Sequence, residues 1–297
     1  MAATAIANKP VLRSSVTKDS FSTDQTRYGQ ECLGMDGASI WTGLIPRSNR
    51  TCWCIALLGT CLIAILVLLY ASWIQWELFA RFGFQPSDGR IAVLDLDGEG
   101  SLAVWYSSTL LFLSGQLAFL IGHLKHQRLS EKHSSSRIWF VSAICWITLS
   151  LDETASIHEA FKELASIVSG TRIYGDGSLW WAIPYFCVLS FVGLKIFAQM
   201  RFHPIEKTLF LSTGGCWALA VITQLELLLP ASGARGVILE EAAEMMGNLL
   251  LFLSMLLYVR GLIHGQATTT AGAATATDRK VLSPHLRNHV NRSIPSR

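Results

Sequence analysis

The chain has 297 residues, 51% of them hydrophobic and only 15% charged, with a mean hydropathy of +0.39. A soluble surface needs about 25% charged residues, so a soluble globular enzyme is excluded. The net charge of +3 is small and sits in the tails and short loops, so no nucleic-acid partner is expected.

The first 50 residues are polar and rich in Ser and Thr, and are expected to form a disordered cytoplasmic tail. No apolar stretch falls where a signal peptide needs one, within the first 15–30 residues or so. The first span is therefore expected to act as an uncleaved signal anchor. A bilayer core of about 30 Å takes roughly 20 apolar residues as a helix. Six stretches reach this, at 52–74, 102–124, 138–159, 178–199, 208–229 and 239–263. They predict an all-α polytopic membrane protein, a bundle of six transmembrane helices over 51–263. Residues 264–297 run from an Ala/Thr low-complexity stretch into a basic one, and are expected to form a second cytoplasmic tail. The partner of the whole is a lipid bilayer, placed at the plasma (inner) membrane.

In the second span Ser101, Ser108, Gly115 and Gly122 recur every seven residues, as do Trp105, Phe112 and Phe119. Seven residues are nearly two helical turns, so each set forms a stripe. A small-residue stripe lets membrane helices approach closely. The seven cysteines lie mostly inside apolar runs and read as small hydrophobes, not as disulfide partners. Basic residues concentrate in the loops 125–137 and 200–207, acids in the loops near 75–101 and 160–177. The positive-inside rule then puts both termini in the cytoplasm and the acidic loops outside.

The informative residues are acids inside the spans. Asp152 lies fourteen residues beyond Ile138, ~21 Å along a helix. Asp152, Ser156 and Glu159 are spaced i, i+4, i+7 and are predicted to share one helix face, with Glu153 and His158 beside it. In the sixth span Glu240, Glu244 and Asn248 repeat every four residues. Glu99, Ser107 and Ser108 in the second span and Gln224 and Glu226 in the fifth stand at a similar depth. A charge at the bilayer centre costs at least ~3 kcal/mol. Such acids should face one another, a cavity or a cation, because closely spaced carboxylates cannot all ionise uncompensated.

Three readings follow. The first is a metal-dependent membrane hydrolase acting on a lipid or amphiphile. Asp152, His158, Glu159, Glu240 and Glu244 would hold a divalent metal ion, because an oxygen-rich carboxylate and imidazole set suits such an ion. Glu153 would act as acid/base, with Ser107 and Ser108 in support. The second is a cation- or proton-coupled transport or sensing protein using the same carboxylates. The third is a structural membrane protein whose acids pair internally with Arg172, Arg235 or Lys162.

The motifs Asp97-Gly98-Glu99-Gly100, Trp105-Tyr106-Ser107-Ser108, Asp152-Glu153 with His158-Glu159, and Glu240-Glu241 with Glu244 and Gly247 carry a resemblance. The chain resembles an uncharacterised family of multi-pass bacterial membrane proteins over roughly 90–260. The resemblance implies fold and location, and no activity. Alkaline-ceramidase-like membrane hydrolases carry a His-x-x-x-His pair in a late span. Here Glu240 and Glu244 stand at that spacing.

Overall fold

The computed structural model describes residues 43, 45–74, 91–98, 100–128, 133–228 and 234–290, the last helix as backbone alone beyond 264. Most of the N-terminal tail, the acids Glu77, Asp88 and Glu99, and residues 291–297 lie outside the described residues. Contacts divide the chain into two units, Met1–Ile45 and Pro46–Arg297, and every helix named below belongs to the second.

Among the described residues the secondary structure is wholly helical. The helices are α1 (Asn49–Ile74), α2 (Leu102–Arg128), α3 (His133–Ala155), α4 (Ile157–Ser169), α5 (Leu179–Gln199), α6 (Pro204–Gln224) and α7 (Ala234–Val290), with a short 3-10 turn at Ala92–Leu94. Six of them, all but α4, are long and apolar enough to cross a membrane. The chain is a multi-pass membrane protein. α4 has 13 residues, about 20 Å of helix, and is too short to span. α6 starts four residues before the predicted 208, because Pro204 occupies its first turn, where a fixed φ and a missing N–H cost nothing. The α7 backbone stays helical to Val290, beyond the predicted end of the span.

α2 and α7 form the centre. α2 packs along α3 and α7, and α7 packs along α6, α2 and α1. The main apolar core joins α1, α2 and α7 through residues such as Ile63, Leu66, Tyr106, Leu110, Met245 and Leu249. The small-residue stripe of α2 is its seam with α3. A Cβ on Gly115 would stand 2.6 Å from Ile147 Cγ1 and 3.1 Å from the Ala143 carbonyl oxygen, and one on Gly122 3.2 Å from Phe140. At the same seam Ser150 Oγ donates to the Ser108 carbonyl at 2.7 Å. These pairs descend α2 while climbing α3, so the two helices are antiparallel. The aromatic stripe of Trp105, Phe112 and Phe119 flanks that seam and is exposed, with Phe119 meeting Phe140 of α3 edge-on at 5.3 Å. The six described cysteines are free thiols.

One end of the bundle carries the basic loops. There the Gln199 side chain at the end of α5 gathers three helices. Its Oε1 accepts from Trp139 Nε1 at 2.7 Å, Lys125 Nζ at 2.8 Å and Ser135 Oγ at 3.1 Å. Its Nε2 donates to the Ser135 carbonyl at 3.1 Å. Trp139 stacks on Tyr258 of α7 at 5.0 Å. Lys125 Nζ sits 5.1 Å from both rings. The opposite end carries the acids.

Candidate functional site

The acidic end is organised by a break in the chain. The predicted helix through 159 stops at Ala155, and Ser156 adopts the left-handed conformation with φ 48° and ψ 43°. α4 then starts in a new direction. The expected shared face of Asp152, Ser156 and Glu159 is therefore corrected: Glu159 belongs to a different helix from Asp152. The reason is local. Ser156 gives α4 no side-chain cap, and Asp152 from the last turn of α3 supplies one. Its Oδ1 accepts the His158 backbone N–H at 2.6 Å. A carboxylate at that place satisfies an orphan donor and complements the helix dipole.

Asp152 is buried and does more than cap. Its Oδ2 accepts the Tyr185 hydroxyl of α5 at 2.7 Å and lies 3.1 Å from His158 Nδ1. The His158 ring packs 5.0 Å from Trp181, which in turn meets Tyr185 edge-on at 5.5 Å. Its other nitrogen, Nε2, lies 3.8 Å from Glu159 Oε1. Burial alone would lower the His158 pKa. The hydrogen bond and charge of Asp152, with the charges of Glu159 and Glu244, outweigh burial and raise it. His158 thus holds its proton more tightly than a free imidazole.

Beyond His158 lies an ion network. Lys162, buried on α4, reaches Glu159 at 2.5 Å and Asp176 at 2.9 Å. Burial would lower the Lys162 pKa, but its hydrogen bonds to Glu159 and Asp176 raise it. Burial would raise the Asp176 pKa, but Lys162 and the Ser178 hydroxyl and N–H lower it. Arg172 pairs with Glu163 at 2.9 Å. So two of the three cations considered as partners for the deep acids, Lys162 and Arg172, bind other acids.

The deep acids meet one another instead. Glu153 of α3 and Glu244 of α7 bring their carboxyl groups within hydrogen-bonding reach of each other. Glu241 and Glu240, one turn along α7, lie within electrostatic range of Glu244 and of Asp97. All four glutamates are half-buried. Just inward, Trp217 of α6 donates to Asn248 Oδ1 at 3.0 Å and packs 5.9 Å from Trp146 of α3. Gly247 permits this, since a Cβ there would meet the Trp217 ring at 2.7 Å.

The two serines part company. Ser108 Oγ bonds its own helix, to the Trp105 carbonyl at 3.2 Å. Ser107 is fully buried, and among the described residues its hydroxyl has no partner, like Trp146 Nε1 and Asn248 Nδ2. Ser107 lies on the interior stripe of α2, with Ala103, Ser114 and Ala118. Glu226 is exposed in the turn after α6.

Of the residues singled out in the sequence, the fold joins Asp152 to His158, His158 to Glu159, and Glu153 to Glu244. Among the described residues no group of three or more His, Cys, Asp or Glu side chains is arranged to hold a metal ion. Sequence reasoning missed Tyr185, Trp181 and α4. The last was readable, because Ile157, Phe161, Leu164 and Val168 recur at helical spacing.

The model of one protein family, described as "Domain of unknown function (DUF8692)", matches residues 59–259, so the chain belongs to that family. No curated protein and no solved structure matches it.

Proposed function

We propose that this member of the DUF8692 family is a proton-responsive membrane protein, a sensor whose carboxyl cluster takes up and releases protons in step with helix packing. The observation that carries this is the approach of the Glu153 and Glu244 carboxyl groups to within hydrogen-bonding reach. An ionised carboxylate only accepts hydrogen bonds, so two that bond each other share one proton. They sit on α3 and α7, which pack chiefly against other helices. Loss of the shared proton leaves two like charges facing each other in a low-dielectric setting, where repulsion is strong. Separation of α3 from α7 at this end relieves it. The Asp152, His158 and Tyr185 group beside the pair offers a second proton-binding unit.

A sensor suits the geometry better than a conduit. The middle of the bundle is filled by fully buried apolar side chains, among them Ala118, Ile121, Leu251 and Met255. The hydrolase reading draws less support. Both Asp152 oxygens are engaged, Glu159 turns to Lys162, and Ser108 bonds its own helix.

The test is infrared difference spectroscopy of the full chain in nanodiscs, stepped in pH, with Glu153→Gln and Glu244→Gln. A protonated-carboxyl band should titrate in the wild type and vanish in either single variant, because the proton belongs to the pair. A wild type with no such band, or a band that survives in both variants, refutes the proposal.

A further inference from the structure

α4 is turned inside out relative to a helix in water. Ile157, Phe161, Leu164 and Val168 recur at i, i+4, i+7 and i+11 and are 48, 46, 60 and 79% exposed, with Ile167 at 76%. On the opposite face Lys162 and Ser166 are only 7 and 8% exposed. A helix on an aqueous surface buries its apolar stripe and presents its polar one. Here the polar face is locked inward through Lys162, Glu159 and Asp176, and the apolar face points away from the protein. The spans joined to α4 in the chain also expose apolar side chains near it in sequence, Leu151 in the last turns of α3 and Ile183 and Phe186 in the first turns of α5. In a chain with six helices long and apolar enough to cross a membrane, the occupant that covers such apolar faces is lipid.

The same helix is joined to the acidic site by one residue, Ser156, in a left-handed conformation. Such a conformation is strained for an L-residue and persists where the surroundings enforce it. Asp152 grips the first turn of α4 at the His158 N–H and ring.

We propose that α4 is a lipid-seated latch: acyl chains cover its apolar face, and that seating holds His158 on Asp152. The bilayer at the acidic end is thus a partner of the site as well as its solvent. The latch does not require Glu153 and Glu244 to exchange a proton, so the two proposals fail separately.

The test uses the full chain in phosphatidylcholine nanodiscs, with photoreactive p-benzoylphenylalanine in place of Leu164 or Val168. Illumination should yield lipid adducts by mass spectrometry. Crosslinking to a second copy, or the absence of adducts at both positions, overturns the seating. A second arm measures the modification rate of His158 by diethylpyrocarbonate in Leu164→Gln and Val168→Gln, with Asp152→Ala as the reference for a released latch. Loss of the Asp152 grip should speed modification by about tenfold. An unchanged rate in both lipid-face variants overturns the latch.

Discussion

Replacement of Asp152 by Ala removes one acceptor from three donors at once: the His158 N–H at 2.6 Å, the Tyr185 hydroxyl at 2.7 Å and His158 Nδ1 at 3.1 Å. A hydrogen bond to a charged group contributes about 1.5–3 kcal/mol, and a carboxylate at a helix N-terminus about 0.3–1 kcal/mol more. His158 and Tyr185 are only half-buried, so water recovers part of the loss. The net cost is about 3 kcal/mol. It falls on the attachment of α4 rather than on the whole bundle, because the hydrogen bonds of Asp152 run to His158 of α4 and Tyr185 of α5. Hydrogen exchange of the full chain in nanodiscs reads this directly. Local opening of α4 should become roughly 150-fold more favourable, the factor that about 3 kcal/mol represents. Peptides from 157–169 should lose protection by that factor, while those from α2 keep theirs. Asp152→Asn, which retains one oxygen acceptor, should lose less. A loss in 157–169 no greater than in α2 would refute the reasoning.

The protection of α4 should also depend on pH, through His158. Its pKa is raised above the ordinary 6.5 in the folded protein, so its contribution is full below that value and is lost as pH climbs through the raised one. Exchange corrected for its intrinsic pH dependence should therefore speed up on the alkaline side in the wild type. It should show no such step in Asp152→Ala. Gly115→Ala places a methyl 2.6 Å from Ile147 and 3.1 Å from backbone at Ala143, so α2 and α3 must part, at a cost of about 1–3 kcal/mol. Thermal unfolding in detergent should register this, with Gly214→Ala, which meets nothing within 4 Å, as the neutral control; equal midpoints would contradict it. Ser156→Gly should preserve or increase the protection of α4, because glycine adopts a positive φ without strain. Ser156→Val should reduce it, and the reverse order in exchange would remove the left-handed turn from the account.

The sequence made the spans readable because a helix in lipid must be both long and apolar, a property of composition alone. The α2 seam was readable for a similar reason: a seven-residue stripe of Ser and Gly has one use in a bundle, and Ser108, Gly115 and Gly122 meet α3. The cluster of acids was visible, and its partners were not. Nothing in Asp152-Glu153-Thr154-Ala155-Ser156 announces a left-handed serine, since serine does not favour that conformation. The break comes from what Asp152 gains by capping the next helix. Once the chain turns there, Glu159 leaves the Asp152 face and meets Lys162, three residues on in α4. Tyr185 and Gln199 were invisible for another reason. Each acts 33 to 64 residues away from the group it bonds on α3, a distance at which helix periodicity carries no information.

Gln199 gives the bundle a mechanical asymmetry. Its amide carries no titratable proton, and it ties α2, α3 and α5 through an indole, a hydroxyl and an ammonium group. Tyr258 adds α7 to the same knot through stacking. Mild alkali leaves such a knot unchanged, and the imidazole at its edge, His203, packed 4.7 Å from Tyr258, makes none of the bonds to Gln199. The far end is held by carboxylates and an imidazole, whose attachments alter with each proton. Any pH-driven motion is therefore a splaying about a fixed pivot, with amplitude growing along the helices from Gln199 toward Asp152. Probes placed in pairs along α3 and α7 would register little near Trp139 and Tyr258 and most near Glu153 and Glu244.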